Sequence, residues 1–344
     1  MRAFLILLCL LLMSGCSEQG AHSHNQQMYV FGTLVEVVIW TEDEQAAQQE
    51  ITRLGEQFQQ WHLQWHPWQR GGELAEFNHS LANGESIAVP DSVQPLLQRA
   101  SELVHLSNGF FDPAMGGLVR LWGFSDNLVK PSEPPDQKLL ADFIAHAPNI
   151  DDLLIGQSLV HSNNPRLQLD FGGFAKGYAV DRAIEQLRER GFNNVIVNAG
   201  GDLRAIGSKD EWPWRIGIRH PRESGLIASL EMHGDESVFT SGDYERFFDY
   251  QGRRYHHIID PRTGYPSLGL SSVTILYHEA ALADAAATAL MVAGPTGWRA
   301  TARAMGLQHV MVIDHAGVVH MTPSMAERIH FETSSMPEVL VEAL

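Results

Sequence analysis

Residues 169–181 read LDFGGFAKGYAVD, and this stretch turns the chain from an extended segment into a helix. The apolar run at 167–171 predicts a short strand, and a helix is predicted over 178–190 before Gly191. The paired glycines between them let the backbone approach a ligand and point amide groups at an anion, where Lys176 adds positive charge. The spacing matches neither a P-loop nor a dinucleotide-binding fingerprint. Taken alone, the stretch fits a structural turn as well as a ligand site.

The segments around this turn predict an α+β fold. Residues 29–40 alternate apolar and polar side chains and are rich in valine, which predicts a strand, and residues 44–61 predict a Gln-rich amphipathic helix. An alanine-rich helix is predicted over 279–293, and residues 309–314 and 318–321 are predicted to pair as a hairpin. Strands outnumber helices without alternating strictly with them, which favours α+β over a doubly wound sheet.

The N-terminus resembles a bacterial lipoprotein signal. Arg2 precedes an apolar run at 3–13, which is too short to span a bilayer comfortably, and small residues lead to Cys16. Residues 13–16 (MSGC) resemble a lipobox, so residues 1–15 are predicted to be a signal peptide and Cys16 the lipidation site. The predicted location is the periplasmic face of a bacterial membrane. The alternative is an ordinary signal peptide with an incidental cysteine.

The rest of the chain divides by pattern into three parts. Residues 16–27 are polar and predict a flexible tether, residues 28–322 carry the helix and strand patterns of a folded domain, and residues 323–344 form a weakly patterned C-terminal tail. Cys9 and Cys16 are the two cysteines of the sequence, so a chain processed at Cys16 contains no disulfide.

The charge balance excludes one class of partner. Lysine and arginine number 24 against 41 aspartate and glutamate residues, which gives a formal net charge of −17. A nucleic-acid surface needs clustered basic residues, so no nucleic-acid partner is expected. An acidic protein that binds an anionic ligand must neutralise it locally, and a divalent cation or a helix N-terminus can do so.

Two neighbouring segments concentrate reactive side chains. Residues 240–246 (TSGDYER) and 256–264 (HHIIDPRTG) bring together hydroxyl, carboxylate, imidazole and guanidinium groups, more than a turn requires. A histidine near neutral pKa beside an aspartate can act as a general base, although a single histidine is more often structural. Residues 198–202 (NAGGD) predict a tight turn at the end of a strand.

Asp284 and Thr288 are four residues apart in the alanine-rich helix and therefore share one face. A carboxylate and a hydroxyl are hard oxygen ligands, and Mg²⁺ takes few protein ligands while phosphate oxygens and water complete its shell. The alternative is a packing helix of small residues that carries a capped polar pair. His278-Glu279 lacks the second histidine of a zinc-protease helix.

Taken together, these segments resemble the ApbE family of FAD:protein FMN transferases. The similarity covers residues 28–322 and rests on motifs that occur in the family's order: LDFGGFAKGYAVD at 169–181, SGDYERF at 241–247, HIIDPRTG at 257–264, D-x-x-x-T at 284–288, FD at 111–112, LVRLWGF at 118–124 and the region 68–78. The resemblance implies an α+β, T-fold-related, single globular catalytic unit with mixed and antiparallel sheets and flanking helices.

The resemblance also implies roles for individual residues. Mg²⁺ would be bound by Asp284, Thr288 and the backbone carbonyl of Ala175, and His257 would take the proton from the acceptor threonine. The isoalloxazine and adenine ends of FAD would be held by residues at the family's flavin-contact positions: Phe31, Trp68, Phe110, Phe111, Asp112, Gly172, Tyr178, Ile258 and Ala287.

The implied activity is Mg²⁺-dependent cleavage of FAD, which is the substrate, with transfer of FMN to a threonine or serine of an acceptor protein and release of AMP. The implied acceptor is a flavin-carrying subunit of a membrane redox complex. Two alternatives remain open at this point: an Mg²⁺-dependent FAD pyrophosphatase that yields FMN and AMP, and a periplasmic flavin-binding lipoprotein without turnover.

Overall fold

A nine-stranded sheet forms the centre of the protein in the computed structural model, which describes residues 20–125, 131–156 and 158–344. Its strands are β1 (His22–Val30), β2 (Thr33–Thr41), β5 (Val195–Ala199), β6 (Asp202–Ile206), β9 (Glu236–Gly242), β12 (Leu270–Tyr277), β13 (His309–Asp314), β14 (Val319–Met321) and β16 (Val339–Val341). The predicted signal peptide and Cys16 lie outside the described residues.

Three smaller sheets and a set of helices complete the described fold. The remaining strands are β3 (Leu153–Ile155), β4 (Val160–Ser162), β7 (Trp214–Arg219), β8 (Leu226–Met232), β10 (Phe247–Tyr250), β11 (Arg253–His256) and β15 (His330–Phe331). The helices are α1 (Glu44–Trp65), α2 (Glu73–Ala82), α3 (Gln94–Leu106), α4 (Gly116–Leu121), α5 (Gln137–Ala145), α6 (Ala175–Glu189), α7 (Ala280–Ala304) and α8 (Pro323–Ala326).

The central sheet is mixed and almost entirely antiparallel, in the order β1-β2-β5-β6-β9-β12-β13-β14-β16. Its neighbouring strands pair antiparallel except β14 and β16, which run parallel. A three-stranded sheet in the order β15-β8-β7 and the hairpins β3–β4 and β10–β11 accompany it. The predicted α+β class, with flanking helices around mixed and antiparallel sheets, is confirmed.

The core lies on both faces of the central sheet because successive side chains of a strand point to opposite sides. In β13, Val310 and Val312 join the large cluster beneath the helices, whereas Met311 and Ile313 join the cluster shared with β7 and β8. Helix α6 packs on β5 and β6, and helix α7 packs on β9 and β12. The two helices therefore lie side by side over the middle of the sheet.

The predicted tether is wrong over its described strand residues. Residues 22–30 form β1, which pairs with β2 along its whole length from His22 opposite Thr41 to Val30 opposite Thr33. Its polar side chains fit an edge strand whose exposed face meets solvent, so backbone pairing rather than apolar patterning fixes its structure. The single strand predicted over 29–40 is correspondingly a hairpin that turns at Phe31 and Gly32, both with positive φ.

The strand predicted over 167–171 is also wrong. The chain there makes only an isolated bridge between Gln168 and Met115, and Leu169 pairs through its N–H and C=O with the side chain of Asn78. The Asp170 N–H donates to the Pro113 carbonyl at 2.8 Å. A buried asparagine thus satisfies the backbone groups that a neighbouring strand would otherwise bind.

The weakly patterned C-terminal tail is part of the sheets. Strand β15 pairs with β8, and β16 pairs in parallel with β14 at the end of the central sheet. These strands are two and three residues long, so they leave no periodic pattern to read in the sequence.

The predicted break after the alanine-rich helix is present. Helix α7 is interrupted at Gly294, whose φ of 70° and ψ of −172° are not helical, and Pro295 starts the second part. The predicted hairpin of the last long strands is present as β13 and β14. None of the described helices is both long enough and apolar enough to span a bilayer.

Candidate active site

A cavity of about 520 Å³ opens where several turns and element ends meet beside helices α6 and α7. Its lining comes from segments far apart in sequence, within 31–33, 62–68, 110–113, 170–176, 199–202, 240–246 and 257–261, together with α7. A cavity of this size lies within the usual range for small-molecule sites.

One side of the cavity is an aromatic wall formed by Phe31, Trp65, Trp68, Phe110 and Phe111. Phe31 stacks on Trp65 with ring centroids 6.2 Å apart and an interplanar angle of 13°. Phe31 has a φ of 55°, an unfavourable conformation for a bulky residue. Because its ring is also packed edge-on against Phe58 and His62, tertiary contacts hold this strained residue at the cavity mouth.

His66 presents a fixed hydrogen-bond donor beside this wall. Its Nδ1 accepts hydrogen bonds from the N–H groups of Trp68 at 3.2 Å and Gln69 at 3.1 Å, so the proton of the neutral ring is on Nε2. Burial lowers the pKa of His66, although the carboxylate of Asp170 opposes this shift. Burial raises the pKa of Asp170, whose Oδ1 accepts from the Gly172 N–H at 2.8 Å.

Another part of the cavity lining is an acidic corner formed by Asp202, Asp284, Thr288 and Lys176, whose ammonium group contacts both carboxylates. Lys176 Nζ donates to Asp202 Oδ2 at 2.9 Å and lies 3.3 Å from Asp284 Oδ1. The Gly177 N–H donates to Asp284 Oδ2 at 3.0 Å. Burial lowers the pKa of Lys176, but the two carboxylates outweigh it and the pKa lies above its usual value.

Asp284 is the more deeply buried of the two carboxylates in the corner. Its residue is 4% exposed, and burial raises its pKa to about 6 against the opposing effect of Lys176. A buried carboxylate with a raised pKa gains from a nearby cation, because the charged form is the one that desolvation penalises. A further cation near Asp284 would therefore stabilise the charged form of this carboxylate.

The oxygen donors of the corner fit Mg²⁺. Asp284 and Thr288 lie one turn apart on α7, and Ala175 is the first residue of α6, so residues that offer a carboxylate, a hydroxyl and a backbone carbonyl line the same cavity. A Cβ at Gly173 would lie 3.2 Å from the Phe111 ring and 3.7 Å from Thr288 Oγ1, so the glycine avoids a close contact with that ring. Among the described residues, no group of three or more His, Cys, Asp and Glu side chains is placed to hold a metal ion. A site with few carboxylates suits Mg²⁺, which phosphate oxygens and water help to coordinate.

His257 carries a basic nitrogen at the cavity. Its Nδ1 lies 3.3 Å from the Arg246 carbonyl oxygen, and because a carbonyl can only accept, Nδ1 carries the proton and Nε2 keeps its lone pair. Burial holds the pKa of His257 well below its ordinary value, and the positive charge of Arg246 and the ring of His256 add to the effect. His257 is therefore a neutral imidazole at pH 7.

Arg246 supplies a guanidinium group to the same region. Residues 246 and 257 flank the β10–β11 hairpin, so the two side chains reach the cavity from adjacent positions. Within the described ranges, the guanidinium hydrogen bond of Arg246 is to the Phe124 carbonyl at 3.3 Å rather than to a carboxylate. Arg246 can therefore pair with an anionic ligand.

The structure brings most of the predicted site residues together. Those that line the cavity are Phe31, Trp68, Phe110, Phe111, Asp112, Gly172, Ala175, His257, Ile258, Asp284 and Thr288. Tyr178 and Ala287 are not among the lining residues. Tyr178 packs edge-on against Trp65 behind the aromatic wall, and Ala287 is buried in α7.

Asp112 lines the cavity with its carboxylate already engaged. Its two oxygens accept hydrogen bonds from the N–H groups of Ala114 at 2.9 Å and Ile150 at 3.2 Å. Burial raises its pKa to about 6 in spite of these bonds. These hydrogen bonds hold the backbone turn that directly follows Phe110 and Phe111.

Several cavity residues were not predicted from the sequence: Trp65, His66, Asp170, Asp202 and Arg246. Arg246 belongs to the polar segment at 240–246, which was singled out without assigning it a role. Asp202 ends a segment that predicts only a tight turn. Trp65 ends α1 and His66 follows it, both beyond the predicted helix end at residue 61, and no local pattern distinguishes a cavity-lining aromatic residue from a core one.

The fold and the cavity together define an α+β protein whose cavity combines an aromatic wall with a corner of carboxylate and hydroxyl oxygens. The chain belongs to the ApbE family, whose sequence model matches residues 31–311.

Relatives and solved structures agree with this membership. An FAD:protein FMN transferase of Rhodobacter capsulatus is 40% identical over 313 residues, which are 91% of this chain and 60% of that protein. One from Vibrio cholerae is 32% identical over 91% of this chain and 94% of its own length. The crystal structure of the ApbE protein of Thermotoga maritima superposes with a TM-score of 0.81 at 30% identity, covering 91% of this chain and 100% of the other. The chain thus spans well under two thirds of the first of these relatives and nearly the whole of the second.

Proposed function

We propose that this protein is an Mg²⁺-dependent FAD:protein FMN transferase, which cleaves the FAD pyrophosphate, attaches FMN through a phosphoester to a threonine or serine of an acceptor protein and releases AMP. The observation that carries the proposal is that one cavity holds both a neutral imidazole with an available Nε2 and an oxygen-lined acidic corner. Family membership supports it, since the similar proteins described above are FAD:protein FMN transferases.

The substrate FAD would lie along the aromatic wall with its pyrophosphate toward the acidic corner. Phe31 is partly exposed and stacks one ring face on the buried Trp65, so its other face would be the one that stacks on a flat heterocycle. The guanidinium of Arg246 is available for a phosphate oxygen, which planar donors bind well. These contacts would hold the reacting phosphorus between Arg246 and the corner.

Asp284, Thr288 and the Ala175 carbonyl would hold the Mg²⁺ ion, which when bound supplies positive charge against the pyrophosphate oxygens. Lys176 offsets part of the negative charge of the corner and orients Asp284 through its contact at 3.3 Å. The Gly177 N–H fixes the other Asp284 oxygen at 3.0 Å. The chain's own residues therefore preorganise the corner, so that little rearrangement is needed at the moment of reaction.

His257 would act as the general base of the transfer. Its Nε2 accepts the proton of the acceptor hydroxyl while that oxygen forms a bond to the phosphorus of the FMN phosphate. The bond from this phosphorus to the bridging oxygen breaks, and AMP leaves with the electron pair. The Arg246 carbonyl holds Nδ1–H and so keeps Nε2 as the accepting nitrogen throughout.

Incubation of the purified protein with FAD, Mg²⁺ and a flavin-acceptor subunit tests this function. Covalent flavin fluorescence on the acceptor in a denaturing gel, with one AMP released per label, is the expected result. AMP release without label would instead establish the pyrophosphatase activity that the same corner supports, and unchanged FAD would establish binding without turnover.

The transfer rate should depend on pH as expected for a general base that stays neutral well below pH 7. Since the pKa of His257 lies well below 6.5, the imidazole stays unprotonated as the pH falls through 6.5, and the transfer rate should not drop there. The measurement is kcat/KM for the acceptor at saturating Mg²⁺ between about pH 5 and about pH 8. A one-proton loss of activity centred at or above pH 6.5 would contradict the proposed base.

We further propose that Cys16 anchors the protein by a lipid to a bacterial membrane on its periplasmic side, where the acceptor is a flavin-carrying subunit of a membrane redox complex. The support is the sequence at 13–16 (MSGC) behind an apolar run; these residues lie outside the described structure.

Replacement of Cys16 by alanine should abolish lipid labelling. Cells grown with a clickable fatty acid are expected to label the wild-type protein and not the Cys16→Ala variant. A Cys9→Ala variant is the matched control, because it removes the other cysteine of the sequence and should keep the label. Label retained by Cys16→Ala would refute the anchor.

A further inference from the structure

The proposed Mg²⁺ ligands come from two helices, so their convergence depends on how α6 and α7 are set against each other. Ala175 begins α6, whereas Asp284 and Thr288 lie in the first half of α7. The helices approach so closely that a Cβ at Gly177 would lie 2.2 Å from the Ala280 carbonyl oxygen. Close approach alone leaves the rotation and sliding of α7 unfixed, and a directional contact is needed to set them.

Asp181 makes that contact. Its Oδ1 accepts from the Ala280 N–H at 2.9 Å and its Oδ2 accepts from the Ala281 N–H at 2.8 Å. These are two of the N–H groups that a helix N-terminus leaves without an intrahelical partner. The residue before the helix, Glu279, makes no side-chain cap, so a carboxylate from α6 caps α7.

A buried arginine makes this cap possible. Arg204 on β6 donates through Nη1 to Asp181 Oδ1 at 2.6 Å and binds Asp235 through Nε at 2.8 Å. Asp181 is 6% exposed, and without this partner its charge would be costly to bury. The cap therefore ties α6, α7 and the central sheet together at one point.

The same three elements meet a second time at the acidic corner. Lys176 of α6 bonds to Asp202 of β6 and lies against Asp284 of α7. Asp202 and Arg204 are two residues apart on one strand and share a face. Two parallel sets of contacts thus join α6, β6 and α7, one at the candidate cation site and one behind it.

We infer that Asp181 is a positioning residue that sets the register of α7 against α6 and thereby brings Asp284 and Thr288 to the Ala175 carbonyl. It does not act on substrate, since it does not line the cavity and both of its oxygens are occupied. The inference rests on the proposed function, because it assigns Asp181 a part in forming the proposed Mg²⁺ site.

An Asp181→Asn variant tests the inference through metal affinity. The asparagine can accept from one of the two N–H groups but turns its own N–H₂ toward the other, so α7 must shift. Mn²⁺ binding, followed by electron paramagnetic resonance on the full-length protein as a probe of the Mg²⁺ site, should weaken by about tenfold or more, as for other residues that orient metal ligands. FAD binding without metal should change less than about twofold.

The matched control is Asp235→Asn. It removes a carboxylate from the same arginine but touches no N–H group of α7, so Mn²⁺ affinity should stay close to wild type. If both variants lose stability and neither loses Mn²⁺ affinity, or if both lose affinity equally, Asp181 has only a structural role and the inference fails. Should Asp181→Asn not fold, Asp181→Glu keeps the charge while displacing the cap by one methylene, and it should weaken Mn²⁺ binding without unfolding the chain.

Measurements on the wild-type protein distinguish a failure of the proposed function from a failure of the inference about Asp181. If it binds no Mn²⁺ and transfers no flavin, the proposed function itself is wrong. If it does both and Asp181→Asn binds Mn²⁺ as tightly as wild type, only the positioning role is wrong.

Discussion

Replacing Asp284 by asparagine should reduce the proposed Mg²⁺-dependent flavin transfer by at least about 10³-fold, because several kcal/mol of charge stabilisation at the pyrophosphate would depend on the ion that this carboxylate is proposed to hold. Asparagine has nearly the same shape and can still accept from the Gly177 N–H. The substitution therefore removes the negative charge while it preserves the packing of α7 against α6.

The same substitution should leave the metal-free protein folded. Burial raises the pKa of Asp284 to about 6, so at pH 7 the native state holds a charge that burial disfavours, and a neutral amide removes that cost. In the opposite direction, the amide takes one of two carboxylates away from the Lys176 ammonium, which keeps its hydrogen bond to Asp202 at 2.9 Å. A cooperative thermal melt without metal separates the activity defect from misfolding.

Flavin labelling of the acceptor in a gel, together with AMP release, measures the effect. Asp235→Asn is the control, since it removes a carboxylate from an ion pair away from the cavity and should transfer flavin at close to the wild-type rate. Full activity of Asp284→Asn would exclude Asp284 as a metal ligand.

Replacing His257 by asparagine should lower kcat for transfer by about 10²- to 10⁴-fold, the usual contribution of a general base. The asparagine amide can still donate to the Arg246 carbonyl, as Nδ1–H does, but it offers no basic nitrogen at the position of Nε2. FAD binding should change little, because the aromatic wall and the acidic corner are intact. The loss should therefore be in kcat rather than in the KM for FAD.

The variant also separates transfer from hydrolysis. Removing the proposed base should slow attack by the acceptor hydroxyl, whereas the acidic corner proposed to face the pyrophosphate is unchanged. The exposed His278, replaced by glutamine, serves as the control for loss of an imidazole and should transfer at the wild-type rate. Transfer by His257→Asn at the wild-type rate would show that the acceptor hydroxyl loses its proton elsewhere.

Much of the site follows from short-range sequence patterns. The four-residue spacing of Asp284 and Thr288 places them on one face of any helix, and both line the cavity on α7. The reactive groups gathered at 240–264 singled out the segment that contains His257, and the family resemblance assigned His257 its role. Such patterns are readable because helix and strand geometry act over a few residues.

The central contacts of the site could not be read in the same way. Lys176 meets Asp202, which is 26 residues away, and Asp284, which is 108 residues away. Nothing in a sequence window of ten or twenty residues links these positions. The pKa of Asp284 is equally a product of the fold, since burial by distant segments is its largest cause.

The sequence by itself determined the α+β class, the presence of the long helices, the polar pair on α7 and the lipobox-like N-terminus, because each depends on local periodicity or on a contiguous motif. Only the tertiary structure decided that residues 22–30 pair as an edge strand, that the C-terminal tail completes the sheets, and that Asp181 caps α7. The physical reason is the same in each case: a backbone or carboxylate group takes whichever partner the folded chain brings within hydrogen-bond distance, and that partner lies far away in sequence.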